Sequence, residues 1–218
     1  MKLQRTYPRT SSGGSRYSIP TTELKKGCST FERHEGRDSM YLVATFLLER
    51  WWGSQAEMAD ALTVLLLAWN APFYRYGMFD QNRLEKFLVG HWELICSFRD
   101  RDITSLTEGD HAAIKKLFAG LDRALRFKEG KGQGQRSPVA VAKTLHLLAP
   151  RFFPLWDYEI ANRYGCEYSE NPADAYLQLC STFKQIAVDL AAVIPSSQKS
   201  LLKQIDEYNY AKYTKGWI

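Results

Sequence analysis

Apolar side chains recur every three to four residues along most of this chain, and this spacing narrows the possible folds more than any other feature. Such a period places the side chains on one face of an α-helix, whereas a half-buried strand would alternate them every second residue. The pattern predicts helices over residues 39–52, 55–69, 80–95, 114–125, 139–148, 173–194 and 197–210. No alternating strand pattern or internal repeat is present. The expected fold class is therefore all-α.

The chain is large enough to form a core without help from disulfides or metals. Its 218 residues are 45% hydrophobic and 13% aromatic, which suits an ordinary globular domain. We expect one compact helical domain, single or bilobed, over residues 38–218. Residues 1–37 are rich in Gly, Ser, Thr, Pro and basic residues and lack sustained periodicity. They predict an irregular, basic N-terminal arm.

Several classes of protein are disfavoured by what the sequence lacks. The four cysteines include no Cys-x-x-Cys pair, and the four histidines show no metal-ligand spacing, so neither a metal nor another cofactor is expected. The longest largely apolar stretch, residues 62–69, is far shorter than the roughly 20 residues of a membrane span. No apolar signal segment precedes the polar run at residues 10–14. We expect a cytoplasmic monomer with no membrane partner.

Positive charge is concentrated in two segments. Residues 1–37 hold eight Lys and Arg against three acids, and residues 123–151 hold seven against one. Clustered positive charge suits a polyanion such as nucleic acid, although a single charged run is about as often a solvated face. Two basic segments in an otherwise neutral chain favour DNA or RNA as the partner.

A glycine-rich loop at residues 130–135 precedes a predicted helix start at Ser137 and Pro138. Backbone N–H groups at a junction between loop and helix can bind a phosphate with help from the helix dipole. Nearby basic side chains would supplement them. We expect the DNA-contacting residues of this region to be Lys131, Gly132, Gly134, Arg136, Ser137 and Arg151.

Two residues downstream of this loop carry the candidate chemistry. Asp157 follows an apolar stretch and opens the next helix. A carboxylate in that setting can remain ionised while poorly hydrated, which suits stabilising a cation or activating water; the alternative is a plain helix N-cap. Lys143 lies fourteen residues earlier, and three interpretations stay open for it: a Schiff-base nucleophile, a phosphate ligand or an ordinary exposed lysine.

Aromatic and polar residues mix at residues 69–76, where the second predicted helix ends. A flipped base needs stacking surfaces and a few donors that read its edge, and this turn offers both. The alternative is a helix end whose aromatics pack in the core. The candidates for a base pocket are Trp69, Asn70, Arg75 and Trp156.

The order of Lys143-Thr144 and Asp157-Tyr158-Glu159-Ile160 resembles that in the helix-hairpin-helix DNA glycosylases. Those enzymes carry a glycine-containing hairpin, then a helix with Lys-Thr or Lys-Val in the bifunctional members, then an Asp followed by two residues and Ile or Val. The resemblance covers residues 130–163. This chain departs from the family in its shorter separation of lysine and aspartate and in lacking the Leu-Pro-Gly-Val-Gly hairpin. It also lacks the C-terminal cysteine cluster of the endonuclease III-like members.

The resemblance implies a helix-hairpin-helix-like element and an enzyme that flips a modified nucleotide out of duplex DNA. Asp157 would then promote hydrolysis of the N-glycosidic bond and leave an abasic site, without a cofactor. Because the lysine–aspartate connection is short, we expect Lys143 to bind phosphate and not to attack the sugar.

The size, basic arm and irregular hairpin are also similar to those expected of bacterial phage-defence glycosylases that remove glucosylated hydroxymethylcytosine from viral DNA. The alternative function is a non-enzymatic helical protein that binds DNA or RNA, in which Asp157 only caps a helix. A concave pocket with Asp157 at its wall would favour the enzyme, and a convex basic surface would favour the binding protein.

Overall fold

A computed structural model describes residues 17–168, 171–194 and 199–218. These ranges contain eleven α-helices and one two-stranded sheet. The helices are α1 (Thr21–Glu35), α2 (Ser39–Arg50), α3 (Gln55–Trp69), α4 (Ala71–Tyr74), α5 (Gln81–Gly90), α6 (Trp92–Arg99), α7 (His111–Ala124), α8 (Pro138–Leu148), α9 (Tyr158–Tyr164), α10 (Pro172–Ala191) and α11 (Leu201–Asn209). A π-helical turn, Tyr210–Thr214, extends α11. The predicted all-α class is confirmed.

The small sheet joins the turn after α4 to the connection between α7 and α8. Its strands, β1 (Met78–Phe79) and β2 (Phe127–Glu129), are antiparallel. The sequence did not predict them, because two or three residues are too few to show alternation. A Cβ atom on Gly77 would lie only 2.6 Å from the carbonyl oxygen of Glu129. The two strands can therefore meet this closely only with glycine at that position.

Helix α8 lies at the centre of the molecule and is in contact with α2, α3 and α7. Eight of its eleven residues are buried, so Lys143 in its middle is flanked by core side chains. The buried apolar residues of the described ranges form one continuous cluster. This continuous core fits a compact fold, and Lys143 lies at its edge.

The predicted irregular arm is wrong over residues 21–35, because this stretch forms helix α1. Residues 1–16 of that arm lie outside the described residues. Helix α1 packs on α11 and on the π-helical turn, with Leu24 and Phe31 buried. The carboxylate of Glu23 accepts hydrogen bonds from Tyr208 and Lys212. Two large buried apolar side chains are too few to show a period in the sequence, and α1 depends on its partner helix.

Gly27 tests the packing of α1 against α11. A Cβ atom added there would lie 2.8 Å from the Cα atom of Tyr208. We expect Gly27→Ala to lower the free energy of unfolding by about 2 kcal/mol, because overpacking outweighs the better helix propensity of alanine. Chemical denaturation measures the change. Lys26→Ala, at an exposed position of the same helix, is the control, and equal stability of the two variants would contradict this packing.

Two further boundaries differ from the sequence prediction. The helix expected over residues 80–95 is two helices, α5 and α6, which are separated at His91. The backbone of His91 leaves the helical region, with φ −126° and ψ 14°, while its N–H still donates to the carbonyl of Phe87. Helix α11 begins at Leu201 and not at residue 197, and residues 195–198 lie outside the described residues.

Candidate functional site

Asp157 caps helix α9, as one of its two predicted roles requires. Its Oδ1 accepts the N–H of Ile160 at 2.7 Å, and its Oδ2 accepts the hydroxyl of Thr214 at 2.8 Å. The side chain is partly exposed, and the neighbouring Tyr158 is 62% exposed. Each carboxylate oxygen keeps a further acceptor position. The capping role is confirmed, and the catalytic role stays a prediction.

The amine of Lys143 is partly buried where α8 meets the end of α3. Its Nζ donates to the carbonyl of Trp69 at 2.8 Å and lies 4.7 Å from the centre of the Trp69 ring. Burial lowers the pKa of Lys143 to about 8, and the carboxylates of Asp206 and Asp157 act in the opposite direction. The interpretation of Lys143 as an ordinary exposed lysine is therefore wrong. An amine committed to a main-chain carbonyl also fits the predicted phosphate-binding role poorly.

Lys143 on α8 and Asp157 at the start of α9 lie at the two ends of one buried connection. The charge of Asp157 opposes the lowering of the pKa of Lys143, more weakly than that of Asp206 does. Residues 152–156 of the connection are buried, and the Tyr176 hydroxyl donates to the Pro154 carbonyl at 2.8 Å. The connection therefore runs through the core. The expectation that Lys143 does not reach the sugar stays a prediction.

Asp206 of α11 is a further carboxylate of this region, beside Lys203, that no pattern in the sequence predicted. Its Oδ2 lies 3.4 Å from the Nζ of Lys203, which also lies 2.7 Å from the Oδ2 of Asp38. Burial raises the pKa of Asp206 to about 6, although Lys203 lowers it. No local signal could have identified Asp206, because an aspartate on an amphipathic helix usually faces solvent. We refer to Lys143, Asp157, Lys203 and Asp206 as the charged cluster.

Tyr41 and His146 form a rigid wall beside the charged cluster. The Nδ1 of His146 donates to the carbonyl of Phe153 at 2.7 Å, so its Nε2 accepts the Tyr41 hydroxyl at 3.1 Å. Complete burial lowers the pKa of His146 to about 4, and the neutral ring fits this arrangement. The Tyr41 ring packs edge-on against Trp69, with centres 6.2 Å apart. The wall thereby holds the residue whose carbonyl binds Lys143.

Trp69 and Trp156, both candidates for the base pocket, have different environments. Trp69 is partly exposed beside Lys143, where its ring could stack on a base. Trp156 is fully buried, with ring centres 6.0 Å from Phe118 and 5.5 Å from Tyr176. The prediction that Trp156 lines a base pocket is wrong, because the residue belongs to the core.

Asn70 and Arg75, the other pocket candidates, make local contacts. The Nδ2 of Asn70 donates to the hydroxyl of Ser137 at 3.2 Å, which ties the end of α3 to the start of α8. Arg75 is exposed, and its Nε donates to the carbonyl of Pro72 at 3.2 Å. Among the described residues, no side-chain hydrogen bond or ion pair links Asn70 or Arg75 to the charged cluster. Their role in reading a base stays a prediction.

The glycine-rich loop does not present its amides as the sequence analysis expected. The N–H groups of Gly132 and Gly134 each donate to a main-chain carbonyl at 3.0 Å. The hydroxyl of Ser137 accepts the N–H of Ala140 at 3.2 Å and is buried. Direct phosphate binding by Gly132, Gly134 and Ser137 is therefore contradicted. The loop folds against β2 and the turn before β1, and these contacts use the groups that a phosphate would need.

The basic side chains predicted to contact DNA are at the surface. Lys131 is exposed. Arg136 is 46% exposed and lies 3.3 Å from Asp122, and Arg151 is 60% exposed and lies 3.5 Å from Asp102. The pair of Arg151 is exposed and contributes little stability, so its guanidinium group can exchange Asp102 for phosphate. Asp122 is only 9% exposed, so Arg136 can offer a phosphate only the donors that this carboxylate leaves free. Their role as DNA ligands stays a prediction.

Tyr41 and Lys203 line a cleft of about 990 Å³. Arg151 and Glu49 also line it, but Asp157 does not. We expected Asp157 on the wall of a concave pocket, and this cleft does not meet that expectation. The cleft reaches the charged cluster only through Lys203.

In residues 17–168, 171–194 and 199–218, no three His, Cys, Asp or Glu side chains come together in a way that could hold a metal ion. None of the helices there combines the length and apolar character needed to cross a membrane.

Comparison of the chain with protein families, with curated proteins and with solved structures found no match. The functional proposal therefore rests on the chemistry of the charged cluster.

Proposed function

We propose that this protein is a DNA glycosylase that removes a modified base by hydrolysing its N-glycosidic bond. The observation that carries the proposal is the pair of unusual environments at Lys143, whose amine is partly buried against Trp69, and at Asp157, whose carboxylate is held by Ile160 and Thr214. These are the two residues that the resemblance to helix-hairpin-helix glycosylases singles out. A lysine whose pKa is lowered by burial is typical of a catalytic site. A protein that only binds DNA has no need of a buried amine.

In the proposed reaction, Asp157 stabilises the positive charge that develops on the sugar. The oxygen of a water molecule forms a bond to C1′ while the bond between C1′ and the base breaks. The electron pair of that bond leaves with the base, which takes up the proton that the water loses. Asp157 suits this role because the Ile160 N–H and the Thr214 hydroxyl hold its carboxylate in place.

Hydrolysis is the expected outcome because of the charge on Lys143. Its pKa of about 8 lies above neutral pH, so most molecules carry an ammonium group at pH 7. An ammonium group has no free electron pair and cannot attack the sugar. The product should be an intact strand with an abasic site, with no nick.

The proposed substrate is double-stranded DNA with a modified base, and glucosylated hydroxymethylcytosine is the first candidate on the basis of the resemblance alone. Duplexes with this base, with uracil, with an oxidised purine or with no modification would be incubated with the protein. Mass spectrometry would detect the released base, and alkali would reveal abasic sites. We expect one modified duplex to lose its base. Tight binding without release from any modified duplex, including phage DNA, would favour the non-enzymatic alternative.

The basic segments predict how DNA binding depends on salt. Deletion of residues 1–37 would remove helix α1, so the informative deletion is residues 1–16, which carry four basic residues and no acid. We expect this deletion and Arg136→Ala each to lower DNA affinity and to reduce the slope of log affinity against log salt by roughly 0.9 per lost phosphate contact. Lys86→Ala, exposed and outside both segments, is the control. Slopes equal to that of the wild type would exclude these contacts.

A further inference from the structure

We propose that the surface formed by α9 and the π-helical turn binds a DNA strand beside Asp157, with Arg163 on a phosphate and Tyr158 stacked on a base. We refer to Tyr158, Arg163 and Tyr213 as the aromatic face. Neither basic segment of the sequence contains these residues. The inference rests on the proposed glycosylase function, because it names the part of the fold that would present DNA to Asp157.

The aromatic face is connected to Asp157 in two ways. Tyr158 follows Asp157 directly in the chain. The Thr214 hydroxyl donates to the Oδ2 of Asp157 at 2.8 Å, and α9 is in contact with the π-helical turn that contains Thr214. The residue before Thr214, Tyr213, has its ring centre 5.2 Å from the Cζ of Arg163. A strand bound to this face would therefore pass next to the proposed reaction site.

Arg163 has its charge available for a phosphate. It is exposed, and among the described residues it forms no ion pair with a carboxylate, not even with Glu159 one turn earlier on α9. Its Cζ also lies 5.9 Å from the ring centre of Tyr17, so the rings of Tyr17 and Tyr213 both restrict the side chain. A guanidinium group that is already ordered loses less entropy when it binds a phosphate through two N–H groups.

The groups that the sequence predicted to contact DNA are less free than Arg163. Arg136 and Arg151 lie 3.3 Å and 3.5 Å from carboxylate oxygens, and the amides of the glycine-rich loop donate to main-chain carbonyls. A phosphate competes with these partners, and this competition lowers the affinity that each contact can provide. At Arg163 it competes with no carboxylate.

Tyr158 offers an aromatic ring for stacking. It is 62% exposed, and the Tyr168 ring packs edge-on against it, with centres 6.3 Å apart and an interplanar angle of 65°. This contact supports the ring while most of its surface stays in solvent. Any base can stack on such a ring, because every base has a flat π face. Tyr158 would thus hold a base beside the flipped nucleotide without selecting the modified one.

The first measurement is the affinity for a short unmodified duplex, determined by fluorescence anisotropy at several salt concentrations. We expect Arg163→Gln to lower the affinity about tenfold, as for the loss of a hydrogen bond to a charged group. It should also reduce the slope of log affinity against log salt by roughly 0.9. Arg50→Gln, at an exposed position of α2 outside both basic segments, is the matched control and should bind like the wild type.

A variant with an added charge excludes loss of folding as the cause. Asn162 is exposed and precedes Arg163 on α9, so Asn162→Lys should raise the affinity about threefold through a further contact with the phosphates. Asn82→Lys makes the same substitution at an exposed position of α5 and is the matched control. Equal affinities of the two lysine variants would show that only the net charge matters and would overturn the inference.

Stacking by Tyr158 is tested with a duplex that carries a tetrahydrofuran analogue of an abasic site, where the neighbouring bases can unstack. Tyr158→Ala should lower the affinity for this duplex about tenfold, as for the loss of one stacked base. Tyr158→Phe keeps the ring and should bind like the wild type. Equal affinities of the alanine and phenylalanine variants would exclude stacking on this residue.

The outcomes separate this inference from the proposed function. Equal affinities and salt slopes for Arg163→Gln and Arg50→Gln would overturn the DNA-binding role of the aromatic face, whether or not the protein releases a base. If Arg163→Gln does not fold, the comparison of Asn162→Lys with Asn82→Lys decides. Changed DNA affinities without base release by the wild type from any duplex would overturn the glycosylase proposal and leave the DNA-binding face standing.

Discussion

Asp157→Asn should lower base release by about a thousandfold, because asparagine cannot stabilise the cationic sugar as a carboxylate does. The fold should survive, since the asparagine oxygen can still accept the N–H of Ile160 and asparagine is a good N-cap. We expect the free energy of unfolding to change by less than about 1 kcal/mol. Single-turnover base release and chemical denaturation measure the two effects. DNA binding should stay nearly as tight as in the wild type.

Two controls isolate the charge of Asp157. Glu159→Gln removes an exposed negative charge two residues away on the same helix and should keep full activity. Thr214→Val removes the hydroxyl that donates to Oδ2 but keeps the carboxylate, so we expect a loss of about tenfold, as for one hydrogen bond. Excision by Asp157→Asn at the rate of Glu159→Gln would show that Asp157 only caps its helix.

Lys143→Met should make the protein more stable near neutral pH. The lysine pKa falls from 10.5 to about 8 on folding, so the buried ammonium costs stability. Methionine fills a similar volume without the charge, but the variant loses the hydrogen bond to the carbonyl of Trp69. We expect a net gain of about 2 kcal/mol at pH 7. Such a gain is typical of residues kept for function at the expense of stability.

The gain from Lys143→Met should depend on pH in a defined way. The folded state binds the proton of Lys143 less tightly than the unfolded state. The loss of folding stability caused by the buried ammonium is therefore complete below pH 8, where both states are protonated. This loss decreases between pH 8 and 10.5 and is absent above pH 10.5, where Lys143 is neutral in both states. Denaturation at pH 7, 9 and 10.5 measures this trend. Lys116→Met, at an exposed position of α7, should show no such trend, and a loss of stability at every pH would contradict the proposed cost.

The sequence by itself determined the features that depend on neighbouring residues. The apolar period predicted most helices, because one buried face needs a side chain every three to four residues. The cap at Asp157 was also predictable, since the side chain of an N-cap binds an N–H three residues ahead. The strand pairing at β1 and the helix at Thr21–Glu35 were not, because each forms only against a distant segment.

Only the tertiary structure decided the environment of each candidate residue. The aromatic partners of Trp156 lie on α7 and α10, so no local pattern could distinguish a core tryptophan from one in a base pocket. Lys143 is partly desolvated because the end of α3 packs against it from a distant part of the chain. Asp206 is 14% exposed because α11 packs into the fold, which no local pattern indicates. Burial and charge pairing depend on separations in space, whereas helix formation and capping depend on separations along the chain.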